Sequence, residues 1–295
     1  MRGVLSHNVS LARYTSWHVG GKAKNCYWSA DLQDLKSFLQ SMPSDEKYLW
    51  LGLGSNVLIR DGGFPGTVIF TQGCLNQLEQ LDDKTIRAEA GITCAKFAKF
   101  CARKGYRAAA FFAGVPGTVG GALAMNAGAF GGETWKYVLA VDTIDAKGNI
   151  YKRFPEEFEV AYREVKRQPS EWFVAGYFQF PEGEEKEGQE AIKSLLKKRS
   201  DTQPIGAFSC GSVFRNPPGD YAARLIESCG LKGKRIGGAH VSNKHANFII
   251  NDDHATANDI EILIEEVAAG VLEKTGVQLI KEVHVLGLKV ENGVA

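Results

Sequence analysis

The sequence has no surplus of charge of either sign. Its 35 Lys and Arg stand against 34 Asp and Glu, so it lacks the positive field that recruits nucleic acid or an anionic membrane. No run of about 18 apolar residues is present, which excludes a membrane-spanning helix as the expected form of any segment. The opening residues, Met1-Arg2-Gly3-Val4-Leu5-Ser6-His7, are too short and polar a stretch to read as a secretory signal. The cysteines Cys26, Cys74, Cys94, Cys101, Cys210 and Cys229 include no Cys-x-x-Cys pair. His240 and His245 lie five apart, off a common helical face. Zinc-type spacing is therefore missing and no metal is expected. Cys94 and Cys101 are seven apart on an expected helix and read as core; reduced thiols of the cytoplasm fit the set. No internal repeat is visible, and compositional bias is confined to residues 183–190. With 295 residues, 44% of them apolar, one or two domains with ordinary cores are expected in a soluble, cytoplasmic protein.

What the chain does have is glycine, concentrated in residues 114–132: Gly-Val-Pro-Gly-Thr-Val-Gly-Gly-Ala-Leu-Ala-Met-Asn-Ala-Gly-Ala-Phe-Gly-Gly. Each glycine removes a Cβ and carries an entropic cost relative to alanine. Such a run is retained where backbone must closely approach something else, and amides at turns and helix starts can cradle an anion such as phosphate. A flexible linker would be polar and Ser-rich, whereas this run is interleaved with Val, Ala, Leu, Met and Phe. A second loop, Gly52-Leu53-Gly54-Ser55-Asn56, follows an apolar strand. A dinucleotide fingerprint of the Rossmann kind would place glycine at Val57 and a helix after it. The chain continues Val57-Leu58-Ile59-Arg60-Asp61-Gly62-Gly63, a second extended run and a turn. Two separate Gly-rich loops suggest a diphosphate held by both.

Local signals outline the elements. Ser29 is expected to cap an amphipathic helix over 31–42, followed by strand 48–51 in a small β-α-β unit. Strands follow at 67–70 and 85–90. Thr93 is expected to cap a helix carrying Phe97, Phe100 and Cys101 and ending at Gly105. A hairpin joins 141–144 to 150–151 through Lys147-Gly148-Asn149, and 172–180 reads as a strand. Residues 181–199 read as a charged helix, ended by Thr202-Gln203-Pro204, where a domain boundary is placed. Beyond it the pattern predicts strand 212–214, helix 221–229, strand 247–250, helix 256–276 and strand 279–286.

Taken together, the motifs resemble a known family. They are Gly52-Leu53-Gly54-Ser55-Asn56, Gly114-Val115-Pro116-Gly117-Thr118-Val119-Gly120-Gly121-Ala122 and Asn126-Ala127-Gly128-Ala129-Phe130-Gly131. Further blocks are Tyr162-Arg163, Gly211-Ser212-Val213-Phe214-Arg215-Asn216-Pro217, Glu282-Val283 before Leu286-Gly287, and the early Thr15-Ser16-Trp17-His18-Val19-Gly20-Gly21. In that order, from about Tyr14 to Gly287, they closely resemble the UDP-N-acetylenolpyruvoylglucosamine reductase (MurB) family, flavoenzymes of the cytoplasmic stage of peptidoglycan synthesis. Tyr14 stands where the family pattern has Asn. The short span from Tyr162 to the 172–180 strand leaves no room for the insertion that brings a substrate-clamping tyrosine, so the chain resembles the shorter, second type.

The resemblance implies an α+β fold: a two-part FAD-binding domain of the vanillyl-alcohol-oxidase (PCMH) type over 1–202, with subdomains of about 1–66 and 67–202, and a smaller C-terminal α/β substrate-binding domain over 203–295. It implies non-covalent FAD, NADPH as co-substrate, and reduction of UDP-N-acetylglucosamine enolpyruvate by hydride to the vinyl carbon and a proton to its neighbour. No protein partner is implied. The cofactor-binding positions carried over are Gly52, Gly54, Ser55, Asn56, Gly114, Pro116, Gly117, Thr118, Gly120, Gly121, Asn126 and Ala127. Those for substrate are Tyr162, Arg199, Gln203 and Asn216.

The resemblance also selects three catalytic residues. Arg163 offers a planar fork suited to a carboxylate; by composition alone it reads as a surface salt bridge. Ser212 is the expected proton donor, with Cys210 its rival by intrinsic acidity. Glu282, in an apolar stretch, is expected to be partly buried and neutral, able to donate a hydrogen bond to the intermediate. Period-two reading leaves open a solvent-facing residue on the face of His284. The alternative function is a flavin-dependent alcohol oxidase of the same fold. Neither Gly-rich loop holds a histidine that could tether the flavin, which weighs against it.

Overall fold

The computed structural model describes residues 1–252 and 254–290. Strands β1 (Val4–Ser10), β2 (Lys22–Trp28), β3 (Tyr48–Leu51), β4 (Val57–Ile59), β5 (Phe64–Phe70), β6 (Leu78–Gln80) and β7 (Thr85–Glu89) come first, with helix α1 (Leu32–Ser41) between β2 and β3. Helices α2 (Cys94–Arg103) and α3 (Val119–Met125) precede β8 (Gly128–Ala129), β9 (Gly132–Glu133), β10 (Val138–Asp145) and β11 (Ile150–Arg153). Then come β12 (Glu159–Ala161), β13 (Glu164–Lys166), β14 (Glu171–Gln179) and α4 (Glu185–Thr202). The remainder is α5 (Ala222–Ser228), β15 (Arg235–Ile236), β16 (Ala239–Val241), β17 (Ile249–Asn251), α6 (Ala257–Thr275) and β18 (His284–Leu286). Among the described residues no helix is long and apolar enough to cross a membrane.

The chain divides into two compact units. The first comprises Met1–Ser6, Cys26–Leu53 and Thr67–Arg199; the second comprises His7–Asn25, Gly54–Gly66 and the chain from Ser200 onward. The sequence boundary after 202 lies three residues beyond this division, which also assigns two early segments to the second unit.

In the first unit a five-stranded sheet runs in the order β11-β10-β14-β7-β6. Its β10–β11 hairpin turns at Gly148, where φ is +76°. Helices α2 and α3 carry Phe97, Ala98, Cys101, Val119 and Leu123 into a core shared with Phe112, Phe173, Phe178 and Phe180. The Phe97 ring lies edge-on to Phe112 at 4.9 Å and tilted on Phe178 at 4.8 Å. Burying each such side chain contributes about 2–3 kcal/mol. Thr93 caps α2 by accepting from Lys96 N at 3.3 Å, as its sequence position predicts. A second sheet has the order β1-β2-β5-β3, with β3 parallel to β5. Leu35, Phe38 and Leu39 of α1 are buried with Ile69 and with Tyr27, whose ring stacks on Phe38 at 3.6 Å. The cap of α1 is Asp31, which accepts from Asp34 N at 2.9 Å, and not Ser29. Asp31 stands one residue before the first helical residue, so its carboxylate reaches the free amide of Asp34, whereas Ser29 lies two residues further back.

In the second unit α6 packs Ile260, Leu263, Ile264 and Val267 against Trp17, Leu58, Phe214, Ile226 and Ile249. Thr256 and Asp259 form a capping box at its start and Gly276, at φ +72°, ends it. Asp61 accepts from the amides of Ala257 and Asn258 at 3.0 and 2.9 Å, a carboxylate on the positive end of the helix. The early Thr15–Gly21 motif belongs to this unit: Trp17 Nε1 donates to Ile249 O at 2.7 Å and Asn251 Nδ2 donates to Trp17 O at 2.8 Å.

Two predicted strands form only in part. Residues 212–214 make only a single antiparallel bridge, Phe214 to Lys281. Gly211, at φ +73°, turns the chain immediately before them and Pro217 follows. Of residues 279–286 only His284–Leu286 is a strand, because its parallel partner β4 is itself three residues long. Glu282 therefore precedes the strand instead of lying in it. The hairpin β12–β13 escaped the sequence pattern, since its two-residue turn is Tyr162-Arg163 and contains no glycine.

Candidate active site

In the first unit Gly52 and the glycines of the long run do different things. A Cβ on Gly52 would lie 2.6 Å from Thr118 Oγ1, and one on Gly120 would lie 2.7 Å from Ala90 Cβ. Thr118 is buried and caps α3 by accepting from Gly121 N at 3.3 Å. Val119 N and Gly120 N donate to Ile92 O and Ala90 O at 2.8 and 3.0 Å. The start of α3 is thus pressed onto residues 90–92. Gly114 makes room for the Phe130 ring, 2.8 Å from where its Cβ would be. Gly117, after Pro116, accepts from Cys94 N at 2.9 Å. Gly121 is unlike these: it is exposed, and its Cβ would find nothing nearer than 3.7 Å.

Asn126 ends α3 in the left-handed conformation, φ +40°. Its side chain is buried and turned into the protein: Nδ2 donates to Ala161 O at 3.1 Å and Glu133 Oε2 at 3.3 Å, and Oδ1 accepts from Trp135 N at 3.1 Å. Ala127 donates its amide to Ala122 O at 2.9 Å and accepts from Thr134 Oγ1 at 2.6 Å. These two residues brace the loop below the β12–β13 hairpin. Arg163 sits in that hairpin's turn at φ +58°, a conformation that disfavours any residue with a Cβ. Its Nη2 donates to Gly128 O at 2.7 Å and its Nη1 to Asn126 O at 3.4 Å. The guanidinium is therefore held by two main-chain carbonyls. Tyr162 is exposed, its ring centroid 5.1 Å from Arg163 Cζ. Arg199, in the last turn of α4, is half-buried, and that burial draws its pKa down.

In the second unit the structure brings Ser212 and Glu282 onto adjoining backbone. Glu282 N donates to Val213 O at 2.8 Å, one residue from Ser212, and both Ser212 and Glu282 are half-buried. Asn56 Nδ2 donates to Glu282 O at 3.1 Å, and His284 N donates to Asn56 O at 3.1 Å. Gly54 has φ +61°, and a Cβ there would lie 2.1 Å from Tyr14 O. Gly54 is buried, yet among the described residues its amide and that of Ser55 reach no acceptor. Buried amides are rarely left so, and a turn presenting two of them suits an anion. Within the second unit this turn offers backbone donors that suit a phosphate; within the first, Gly121 leaves the start of α3 open. Cys210 does not compete with Ser212. It is 4% exposed, its sulfur lies 3.4 Å from Val57 O, and burial pushes the thiol up to about 12. Asn216 Oδ1 accepts from Ala222 N at 3.1 Å, so part of its side chain caps α5. Gln203 follows the end of α4 and is half-buried.

The sequence reading missed Asn247, which is 3% exposed. Its signal was a single amide in the otherwise apolar run Ala246-Asn247-Phe248-Ile249-Ile250, where burial demands a partner.

Known proteins resemble this chain over nearly its whole length. A family model for the FAD binding domain matches residues 28–152, and one for the UDP-N-acetylenolpyruvoylglucosamine reductase C-terminal domain matches residues 203–286. The UDP-N-acetylenolpyruvoylglucosamine reductase of Coxiella burnetii (strain Dugway 5J108-111) is 57% identical over 306 residues, covering 97% of each chain. The crystal structure of the reductase from Thermus caldophilus is 31% identical with a TM-score of 0.81, covering 97% of this chain and 99% of that one. The 6-hydroxy-D-nicotine oxidase of Arthrobacter nicotinovorans shares the fold alone, at 11% identity and a TM-score of 0.56 over 95% of this chain and 88% of that one. The fold is the expected α+β one with a FAD-binding domain, and the oxidase alternative is not favoured. With these relatives over nearly its whole length, the chain belongs to the UDP-N-acetylenolpyruvoylglucosamine reductase (MurB) family.

Proposed function

We propose that this chain reduces UDP-N-acetylglucosamine enolpyruvate to UDP-N-acetylmuramate with NADPH, through non-covalent FAD, in cytoplasmic peptidoglycan precursor synthesis. The observation that carries the proposal is the hydrogen bond from Glu282 N to Val213 O at 2.8 Å, which brings the backbone of Glu282 to within one residue of Ser212. Residues 1–202 hold FAD and residues 203–295 the substrate. The backbone of Gly52, Gly54, Ser55, Asn56, Gly114, Pro116, Gly117, Thr118, Gly120, Gly121, Asn126 and Ala127 supplies the cofactor cradle. Bound FAD supplies a hydride acceptor for NADPH and a hydride donor for the vinyl carbon.

The protein's own groups do the rest. Arg163 binds the enolpyruvyl carboxylate, its plane set by the carbonyls of Gly128 and Asn126, and opposes the negative charge that develops beside it. Ser212 gives the proton to the carbon next to the carboxylate. Glu282 in its protonated form donates a hydrogen bond to the carboxylate of the intermediate. Tyr162, Arg199, Gln203 and Asn216 bind the sugar and diphosphate. An anaerobic experiment tests all of this. NADPH should bleach the flavin absorbance, and UDP-N-acetylglucosamine enolpyruvate should restore it. Bleaching without recovery would assign a different acceptor, and a protein that takes up no FAD would end the enzyme assignment.

A further inference from the structure

We propose that Asn247 is the positioning residue of the proton donor, a buried carboxamide that holds the Ser212 segment in its irregular path. The proposal rests on Ser212 being that donor. Asn247 Oδ1 accepts from Phe214 N at 3.0 Å and its Nδ2 donates to Phe214 O at 2.8 Å. Its own main-chain carbonyl accepts from Val213 N at 2.9 Å. The two residues after Ser212 are thus held by three hydrogen bonds from one residue. The fourth main-chain group, Val213 O, accepts from Glu282 N, so the same clamp also sets the backbone of the carboxyl group.

A side-chain amide here takes the place of a strand. In a ladder, Phe214 N and O would pair with another main chain and residues 212–214 would be drawn into a pleat. A carboxamide offers one donor and one acceptor in a plane, as a peptide does, but imposes no pleat on its neighbours. The turn at Gly211, φ +73°, can then place Ser212 independently of the sheet. Asn247 is 3% exposed, and an apolar side chain in its place would leave Phe214 N and O without these partners. A polar group is kept in such a place when its hydrogen bonds specify geometry. Asp lacks the donor for Phe214 O, and Leu lacks both groups.

The test is Asn247→Leu and Asn247→Asp, each made in the parent and in Ser212→Ala, with both half-reactions followed by stopped flow in the FAD-loaded enzyme. Flavin reduction by NADPH should stay within about twofold. Reoxidation by UDP-N-acetylglucosamine enolpyruvate should slow on the order of 100-fold, with a larger solvent deuterium isotope effect. In the Ser212→Ala background the same substitutions should add almost nothing, as expected of residues acting as a unit. Amide exchange of Phe214 should rise in both variants, a reading independent of activity. If Asn247→Leu does not fold, Asn247→Asp carries the experiment. Equal slowing of both half-reactions, or the same factor with and without Ser212, would make Asn247 merely structural and overturn the proposal. If Ser212→Ala slows reoxidation while the Asn247 variants do not, the proposal fails and the serine assignment stands. If Ser212→Ala reoxidises normally, the serine assignment fails and takes the proposal with it.

Discussion

The side-chain amide of Asn56 donates to the main-chain carbonyl of Glu282 at 3.1 Å, and the Asn56 carbonyl in turn accepts from His284 at 3.1 Å. The parallel pairing that begins at His284 and Val57 continues this contact. A residue expected to bind the cofactor therefore also sets the backbone of the carboxyl group proposed to be catalytic.

Asn56→Ala should reveal both roles. Loss of the side-chain bond should lower stability by about 1 kcal/mol. FAD titration should show weaker binding. At saturating FAD, turnover should remain about tenfold below the parent, the part that passes through Glu282. Full recovery at saturating FAD would confine Asn56 to the cofactor.

Arg163 stores a conformational penalty for the sake of its side chain. At φ +58° glycine is the residue the backbone prefers, by about 1 kcal/mol over one with a Cβ. Arg163→Gly should therefore be more stable than Arg163→Ala by about that amount in urea titrations. Both variants should lose turnover by about 10³-fold and raise the KM for the enolpyruvyl substrate. A glycine variant no more stable than the alanine one would show that the turn relaxes without strain.

Asp34 should govern the acid limb of stability. Its buried carboxylate accepts from Tyr27 Oη and from the amides of Arg2, Gly3 and Ala30. Burial alone would raise its pKa; these donors outweigh it and hold the group at about 2. The folded value lies below the ordinary one of 3.8, so the ionised group favours the folded state above about pH 4. That contribution, on the order of 2 kcal/mol, is lost as pH falls toward 2. Asn in its place removes this dependence. Urea midpoints of the parent and Asp34→Asn should differ most at pH 7 and converge below pH 3; a constant difference would locate the pH dependence elsewhere.

The parts of this fold that were legible are those fixed by neighbours in sequence. Thr93 caps its helix and Gly105 and Gly148 turn the chain where predicted, because each acts within four residues of itself, and the helix expected over 256–276 forms over Ala257–Thr275. Strand Tyr48–Leu51 was read to the residue. The parts that were not legible are fixed from far along the chain. Residues 212–214 look like a strand by composition, yet Asn247, 33 positions away from Phe214, takes the ladder's place. The Tyr162-Arg163 turn lacks the glycine that marks such turns, since Asn126 braces Ala161 beside it. The Gly-rich run reads as structured, but packing explains Gly114 and Gly120 in it and Gly52 in the second loop, a use that sequence cannot separate from ligand approach.

Two adjacent glycines can make that separation by experiment. Both lie in the first turn of α3, at ordinary helical angles, so alanine at either gains helix propensity of up to about 1 kcal/mol. At Gly120 the new methyl would sit 2.7 Å from Ala90 Cβ and 3.1 Å from Ala90 O. The helix start must then move off residues 90–92, and Gly120→Ala should lower the thermal midpoint of the FAD-free chain, a net loss of about 1–2 kcal/mol. At Gly121 the methyl meets nothing within 3.7 Å. Gly121→Ala should leave that midpoint unchanged or raise it, while weakening FAD binding at least tenfold in fluorescence titration. The two variants thus divide stability from cofactor affinity at neighbouring positions of one turn. If Gly121→Ala binds FAD as the parent does, the open face of α3 takes no part in holding the cofactor.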